Sequence, residues 1–443
     1  MRRGIYVLLI IIIWAQGCKV DSPNSFELSP QDEALLTLIQ EQTFNYFWEG
    51  AEPHSGMARE RIHLDGEYPD NDQDIVTTGG TGFGLMAMLV GIERGFITRE
   101  EGRERITQIV SFLENAPRFH GVWSHWLNGA TGEVKPFSPK DNGGDLVETA
   151  FLAQGILCAR QYFRSGNQEE QFLAQRLNQL WLSIDWNFYR GEEVENVLFW
   201  HWSPEYEWEM NFRIRGYNEC LIAYILAASS PTYGVDPEVY HQGWAMQGQI
   251  LASDSLAPLQ LIHQGNPPQG GPLFWAHYSY LALNPKGLQD QYADYWELNR
   301  THTLLNYQHC VDNPQNYPGY GSNCWGLTAS YSINFYEAHS PSKDVGVISP
   351  TAALSSFPYT PKESMAAAKY FYNDLQSKIW GKYGFYDAFS VKHDWYPQRY
   401  LAIDQGPIVI MIENYRTGLL WDLFLSNEEI QNGLTRLGFS YGS

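Results

Sequence analysis

The sequence predicts an all-α protein, a closed double ring of six inner and six outer helices. Three observations carry this. Six segments run from a Gly-rich or acidic turn straight into a helix that is apolar on nearly every side. They are VTTGGTGFG (76–84), DNGGDLVETA (141–150), NFRIRGYNEC (211–220), GGPLFWAHYSY (270–280), GYGSNCWGLTA (319–329) and YLAIDQGPIVI (400–410). A helix apolar all round is buried all round. The six recur every roughly 50–80 residues, the spacing of helix pairs rather than of short solenoid units. Charged amphipathic helices lie between them, as an outer layer would. Inner helices that start at one rim would bring the polar residues of their starts into one pocket.

The elements follow in order. Residues 30–49 form the first amphipathic helix, with Ser29 at the cap and Pro30 at the first helical position. Residues 54–74 are a polar loop. Residues 76–94 form the first buried helix and 98–116 its charged partner. The long loop 117–144 holds Trp123 and Trp126, and such a loop in a compact protein is usually functional. Helices 145–165 and 168–186 make the second pair. Residues 189–209 are irregular and aromatic, with room for a short hairpin. The remaining pairs are 213–230 with 237–251, 272–283 with 289–310, 323–334 with 362–378, and 405–420 with 427–437. Residues 345–361 and 380–395 read as loop or short strand. No linker divides the chain, so residues 30–443 are expected to be one domain.

The N-terminus reads as a leader. Arg2 and Arg3 precede an apolar run too short to span a membrane, and Gly17-Cys18 follow. Residues 1–17 are expected to be a signal peptide, with acylation at Cys18 and a polar tether over 18–29. That places the protein in the periplasm or at the outer membrane, held by the lipid. The net charge of −21 repels nucleic acid and anionic lipid headgroups, so a neutral partner is expected. Aromatic residues make up 15% of the chain, more than a core requires, and rings lining a cleft suit sugar faces. Cys158 and Cys220 read as core residues, and Cys310 and Cys324 flank a loop across which a disulfide could close. No zinc-type Cys or His spacing and no phosphate-binding Gly loop is present. No metal and no cofactor is expected.

Carboxylates mark three of the six starts. Asp141, Asp145 and Glu148 open the second. Asp145 and Glu148 share a helix face, and their spacing is also that of a capping box. Glu219 is followed by CLIAYILAA. A carboxyl against that wall loses solvation and is pushed up, as a proton-donating acid requires. An ion pair with Arg213 or Arg215 would have the opposite effect. Asp404 precedes Gln405-Gly406-Pro407 as a cap or as a site residue. Two carboxyls across a pocket lined by aromatics are the equipment of glycoside hydrolysis.

The stretches GGDLVETAFLAQGIL, FRIRGYNECLIAYILAASSPTYGV, GGPLFWAHYSYLALNPKGLQD and GYGSNCWGLTASYS resemble the glycoamylase-like domain of bacterial β-1,2-glucan hydrolases. The likeness covers nearly all of the chain after the tether. It implies an (α/α)6 barrel and inverting action on β-1,2-glucan, either internally or by release of sophorose from a chain end. The family's acidic cluster falls on Asp141, Asp145 and Glu148, its acid on Glu219 in YNE and its base on Asp404 in IDQGP. Trp123, Arg215, Trp275, His277 and Trp325 are candidate sugar contacts at or near the rim. The protein is expected to act as a monomer. Two other readings stand beside this one. A polysaccharide lyase on the same toroid would need a Tyr or His base and a basic pocket. A non-catalytic glycan-binding lipoprotein would keep the aromatics without needing Glu219 and Asp404.

Overall fold

The computed structural model describes residues 26–66, 73–251 and 269–442. Cys18, the leader and most of the tether lie outside them. Helices dominate, and the strands are short and pair mainly in twos. In chain order the helices are α1 (Pro30–Trp48), α2 (Thr78–Arg94), α3 (Arg99–Asn115), α4 (Leu146–Phe163), α5 (Gln168–Leu182), α6 (Leu221–Ser229) and α7 (Pro237–Val239). They continue as α8 (Tyr295–Asp312), α9 (Pro350–Leu354), α10 (Pro361–Asn373), α11 (Gln376–Ile379), α12 (Ala402–Arg416), α13 (Leu419–Leu425) and α14 (Glu428–Arg436).

Local signals account for the helix ends. Ser29 and Asp32 form a reciprocal capping box on α1, with Pro30 at the first position. Thr98 with Glu101, and Asn167 with Glu170, do the same for α3 and α5. Gly95 closes α2 in the left-handed region at φ 73°, where a side chain would be strained.

The buried elements meet one another in sequence. Helix α2 packs on α4, α4 on α6, and α6 on the tight turn Tyr278–Tyr280. His277, in that same stretch, bonds Ser356 just past α9 at 3.0 Å. Helix α9 packs on α12, and α12 returns to α2. Helices α1, α3, α5, α10 and α14 cover these from outside. The α2–α4 contact rests on glycine. A Cβ on Gly82 would lie 2.2 Å from the Phe151 carbonyl oxygen, and one on Gly155 would lie 2.3 Å from the Gly82 carbonyl oxygen. The two backbones touch there. The intrinsic cost of glycine in a helix, about 1 kcal/mol, is offset by that approach.

Three of the six expected inner helices differ from expectation. The third begins at Leu221 rather than near Arg213, so Glu219 sits on the turn before it. The fourth is a pair of tight turns, Leu273–Ala276 and Tyr278–Tyr280, rather than a helix. The fifth is not at 323–334. That stretch holds a strand, Ala329–Ser332, paired with Phe335–Ala338. The inward position is taken by α9, in a stretch expected to be loop. Period-3.6 apolarity cannot separate a buried helix from a buried strand over so few residues. The expected outer helix 237–251 is reduced to α7 and a π-helical turn, Tyr240–Trp244. Cys310 and Cys324 are both buried free thiols, so no disulfide joins them. Phe26 and Leu28 already pack against the core.

Candidate active site

A cavity of about 340 Å³ opens where the buried elements begin. Glu148 reaches it from the first turn of α4, and Glu219 from the turn before α6. Glu60 and Arg61 face it from the strand run that pairs with Arg399–Leu401. Trp126, Phe137, Trp200 and Tyr336 supply flat aromatic walls, and Tyr278 lines it beside Phe274.

Glu219 is held by its main chain. Its carbonyl accepts the Ser279 hydroxyl, and the same hydroxyl takes the Ile222 N–H at 3.1 Å. Ser279 therefore ties the turn carrying Glu219 to the start of α6. Burial pushes the Glu219 carboxyl up to about 7, and the negative charges of Glu148 and Asp145 push the same way. No arginine counters this. Arg213 is paired with Glu195, and Arg215 is exposed.

Glu148 and Asp145 each have two tasks. Asp145 Oδ1 accepts the Val147 and Glu148 N–H groups at 3.0 and 2.9 Å, which makes it the cap of α4. Its Oδ2 lies 2.9 Å from His125 Nδ1. Glu148 does not complete a capping box on its own helix. Its Oε2 accepts the Gly79 N–H at 2.7 Å and the Thr77 hydroxyl at 3.3 Å, at the start of α2. Its Oε1 lies 3.9 Å from His125 Nε2. In each carboxyl one oxygen accepts backbone N–H at a helix start and the other faces His125.

His125 and His201 were not anticipated from the sequence. His125 stands beside Trp126 at the edge of the strand Trp126–Asn128. His201 pairs across strands with Asp145. His201 Nε2 lies 3.4 Å from Asp141 Oδ2 and 3.6 Å from Asp145 Oδ2. Burial alone would raise Asp145, but the hydrogen bonds and charges of the two histidines hold it well below the usual range. Asp141 moves the other way, up to about 6, through burial and the nearby Asp145 charge. Burial opposes the charge on His125, yet Glu148, Asp145 and Asp141 together bring it to about 9. His125, Asp141 and Asp145 each offer a ligand atom within 4.8 Å of the others, so they are the residues that could hold a cation. In this geometry the raised His125 imidazole already supplies countercharge. The SHW (124–126) and WHW (200–202) triplets, each a histidine directly followed by a tryptophan in an irregular stretch, were the available clue.

Asp404 lies inside α12 and makes no cap bond; Leu401 occupies the cap position. It is 2% exposed. Burial raises its carboxyl well above the usual range, and the neighbouring Asp387 adds to this. Its charge bears on the hydroxyls of Tyr278 and Tyr336, and Glu219 bears on both as well. Glu148 and Glu219 thus line one cavity, and Asp404 is buried outside its lining, near enough to act on Tyr278 and Tyr336, which do line it.

Three of the candidate sugar contacts are core instead. Trp123 is fully buried and its indole N–H donates to the Leu113 carbonyl at 3.1 Å. Trp325 is fully buried and its indole N–H donates to the Glu363 carbonyl at 3.3 Å. His277 is buried against Ser356, and burial holds its ring down at about 3. Trp275 is partly buried, edge-on to Tyr217 and His302, and does not line the cavity. Arg215 also lies outside the lining. A tryptophan near a rim satisfies a core and a cleft equally well by sequence, and its hydrogen-bond partner decides.

The Glycoamylase family model, described as a glucoamylase, matches residues 211–428. The structure of an endo-β-1,2-glucanase from Chitinophaga pinensis, in complex with sophorotriose and glucose, is 60% identical. The match covers 94% of this chain and 99% of that one, with a TM-score of 0.91. An exo β-1,2-glucooligosaccharide sophorohydrolase acting at the non-reducing end, from Parabacteroides distasonis, is 44% identical over 92% of this chain. The match spans 58% of that relative's length. A crystal structure of a β-1,2-glucanase from the same organism is 43% identical, with a TM-score of 0.87, over 94% of this chain and 61% of that one.

Proposed function

This chain belongs to the glycoamylase-like family, and from that premise we propose that it is a glycoside hydrolase of β-1,2-glucan. The observation that carries the chemistry is Glu219. It is a carboxyl raised to about 7 by burial, on the wall of a cavity whose other walls are indole, phenyl and phenol rings. A glucan chain is neutral and presents alternating apolar faces and hydroxyls, which suits such walls.

In the proposed reaction Glu219 gives its proton to the glycosidic oxygen as the bond to the anomeric carbon breaks. Water attacks that carbon from the opposite face, and Asp404 takes the proton the water loses. The configuration inverts. Glu148, on the cavity wall, takes the role of accepting a hydrogen bond from a sugar hydroxyl, and Asp141 and Asp145, buried behind it with His125 and His201, support it. Trp126, Phe137 and Trp200 take the stacking role in place of Trp123 and Trp325. The near-complete overlap with the endo-acting relative favours internal cleavage over release of sophorose from an end. A lyase would need a cationic pocket for a uronate, and Glu60, Glu148 and Glu219 on this wall repel one.

We also read the cycle of contacts α2–α4–α6–(273–280)–α9–α12–α2 as the inner ring of an (α/α)6 barrel. A crystal structure in which α9 and α12 stand apart would open that ring.

The test of function is incubation with linear β-1,2-glucan, laminarin, cellulose and starch, with product identification by mass and anomer assignment by NMR. β-1,2-Glucan should be cut to short oligosaccharides whose first-formed anomer is α, with the other three untouched. Comparable starch cleavage would overturn the substrate. First-formed β-product would overturn inversion.

A further inference from the structure

The hairpin of the strands Ala329–Ser332 and Phe335–Ala338 forms one edge of the cavity. Ala329 and Tyr331 line it from the first strand, and Tyr336, paired with Tyr331, lines it from the second. The first strand is firmly held. The Tyr331 N–H donates to Asp387 Oδ2 at 2.6 Å, and the Tyr331 hydroxyl lies 2.7 Å from His63 Nε2. Ile333, in the turn, packs against the buried cluster of Tyr331, Val347, Ala388 and Leu401. The turn is therefore a fixed part of the rim.

Phe335, which closes the turn opposite Ser332, suits neither its backbone nor its surroundings. Its φ is 77°, in the left-handed region that glycine or asparagine adopts readily and a bulky side chain adopts only at a cost. Alternation along the strand would send residue 335 to the face of Ser330 and Ser332, which are both buried. The turned backbone presents the ring to solvent instead. It is 91% exposed, the most of any large apolar side chain among the described residues.

Single exposed apolar residues are ordinary on a protein surface. This one differs, because the chain gains no burial from the ring and glycine would relieve the backbone. A conformational cost that no internal contact offsets points to a ligand outside the chain.

The position of the ring says which ligand. Phe335 adjoins the wall residue Tyr336 and stands one residue nearer the turn. The cavity holds about 340 Å³, the low end for a ligand site, so a polymer engaged there runs on past its mouth. Glu337, the charged residue of the strand, is paired with Lys343, which suits a neutral chain.

We propose that Phe335 is a sugar-stacking residue at the mouth of the cavity, where it holds a glucose unit of the β-1,2-glucan chain outside the enclosed site. This rests on the reading of the protein as a β-1,2-glucan hydrolase. Such a platform strengthens the binding of long chains and leaves short ones, which end inside the cavity, unaffected.

The experiment compares wild type, Phe335→Gly and Phe335→Trp on polymeric linear β-1,2-glucan and on the shortest β-1,2-glucooligosaccharide that the wild type cleaves, with thermal melts and gel filtration. In Phe335→Gly the KM for the polymer should rise about three- to tenfold, the worth of one aromatic stacking contact. Its kcat, and its kcat/KM on the short substrate, should change less than about twofold. Its melting temperature should hold or rise, because backbone relief offsets the extra freedom of glycine in the unfolded chain and no buried contact is lost. Phe335→Trp keeps a flat ring and should keep the polymer KM. An unchanged polymer KM in the glycine variant overturns the inference, as does a tryptophan variant as weak as glycine. An equal loss on the short substrate would place the effect in the cavity wall, and a lower melting temperature would make Phe335 a packing residue; either overturns it. A dimeric wild type beside a monomeric glycine variant would give the ring to a second copy of the chain instead. No turnover by the wild type would sink the functional reading itself.

Discussion

Glu219 carries most of the chemistry, and its environment makes it testable in two ways. Glu219→Gln should keep the fold and lose about 10²–10⁴-fold in kcat, the usual worth of a general acid. The same variant should change the pH dependence of stability. The folded-state value, about 7, lies above an ordinary glutamate's 4.5. The stabilising protonated form is therefore fully present below about 4.5 and lost as pH rises through about 7. Wild type and Glu219→Gln should melt alike at pH 4. At pH 8 the glutamine variant should be more stable by about 1–3 kcal/mol, read by thermal melts across the range. A stability difference independent of pH would mean that Glu219 is solvated. Asp145, which acts electrostatically on Glu219, shows the opposite tuning. It stays ionised because two histidines and a helix N-terminus hold its charge, while Glu219 faces an apolar wall.

At the scale of elements, the position of Glu148 depends on how closely α2 and α4 approach. Its Oε2 is anchored on the Gly79 N–H at the start of α2, and Gly82 and Gly155 allow the crossing three residues on. Gly82→Ala would gain helix propensity of about 1 kcal/mol. It would also drive a methyl into the backbone of Phe151 and Leu152, at 2.2 and 2.5 Å. Backbone cannot rotate away as a side chain can, so the clash wins. We expect a net loss of about 1–3 kcal/mol in denaturant unfolding. Activity should fall as well, because α4 carries both Asp145 and Glu148. A variant as stable and active as wild type would show that the helices are not locked together there.

At the scale of the whole molecule, a net charge of −21 suits a neutral polysaccharide rather than an anionic partner. We propose the anchor from Gly17-Cys18 and the short apolar run before it. Cys18→Ser should move the protein from the membrane to the soluble fraction on cell fractionation, since that one thioether carries the lipid. Unchanged partitioning would remove the anchor.

The sequence by itself determined the helical class, most outer helices, the Ser29 cap of α1 and the acidic starts, of which Glu148 and Glu219 line the cavity. Those features are local. Apolar periodicity, capping residues and a carboxyl before an apolar run can each be read within a turn or two of helix. Glu219 was legible because nine apolar or small residues follow it directly. Tertiary structure decided the rest. It set a short helix at Pro350–Leu354 into the inner layer in place of residues 323–334, placed Trp123, His277 and Trp325 in the core, and brought His125, His201 and Asp387 to the carboxylates. Each of these depends on a strand register or a contact between segments whose own patterns are silent about it. A buried polar side chain is set by the partner it finds, and that partner is chosen by the fold.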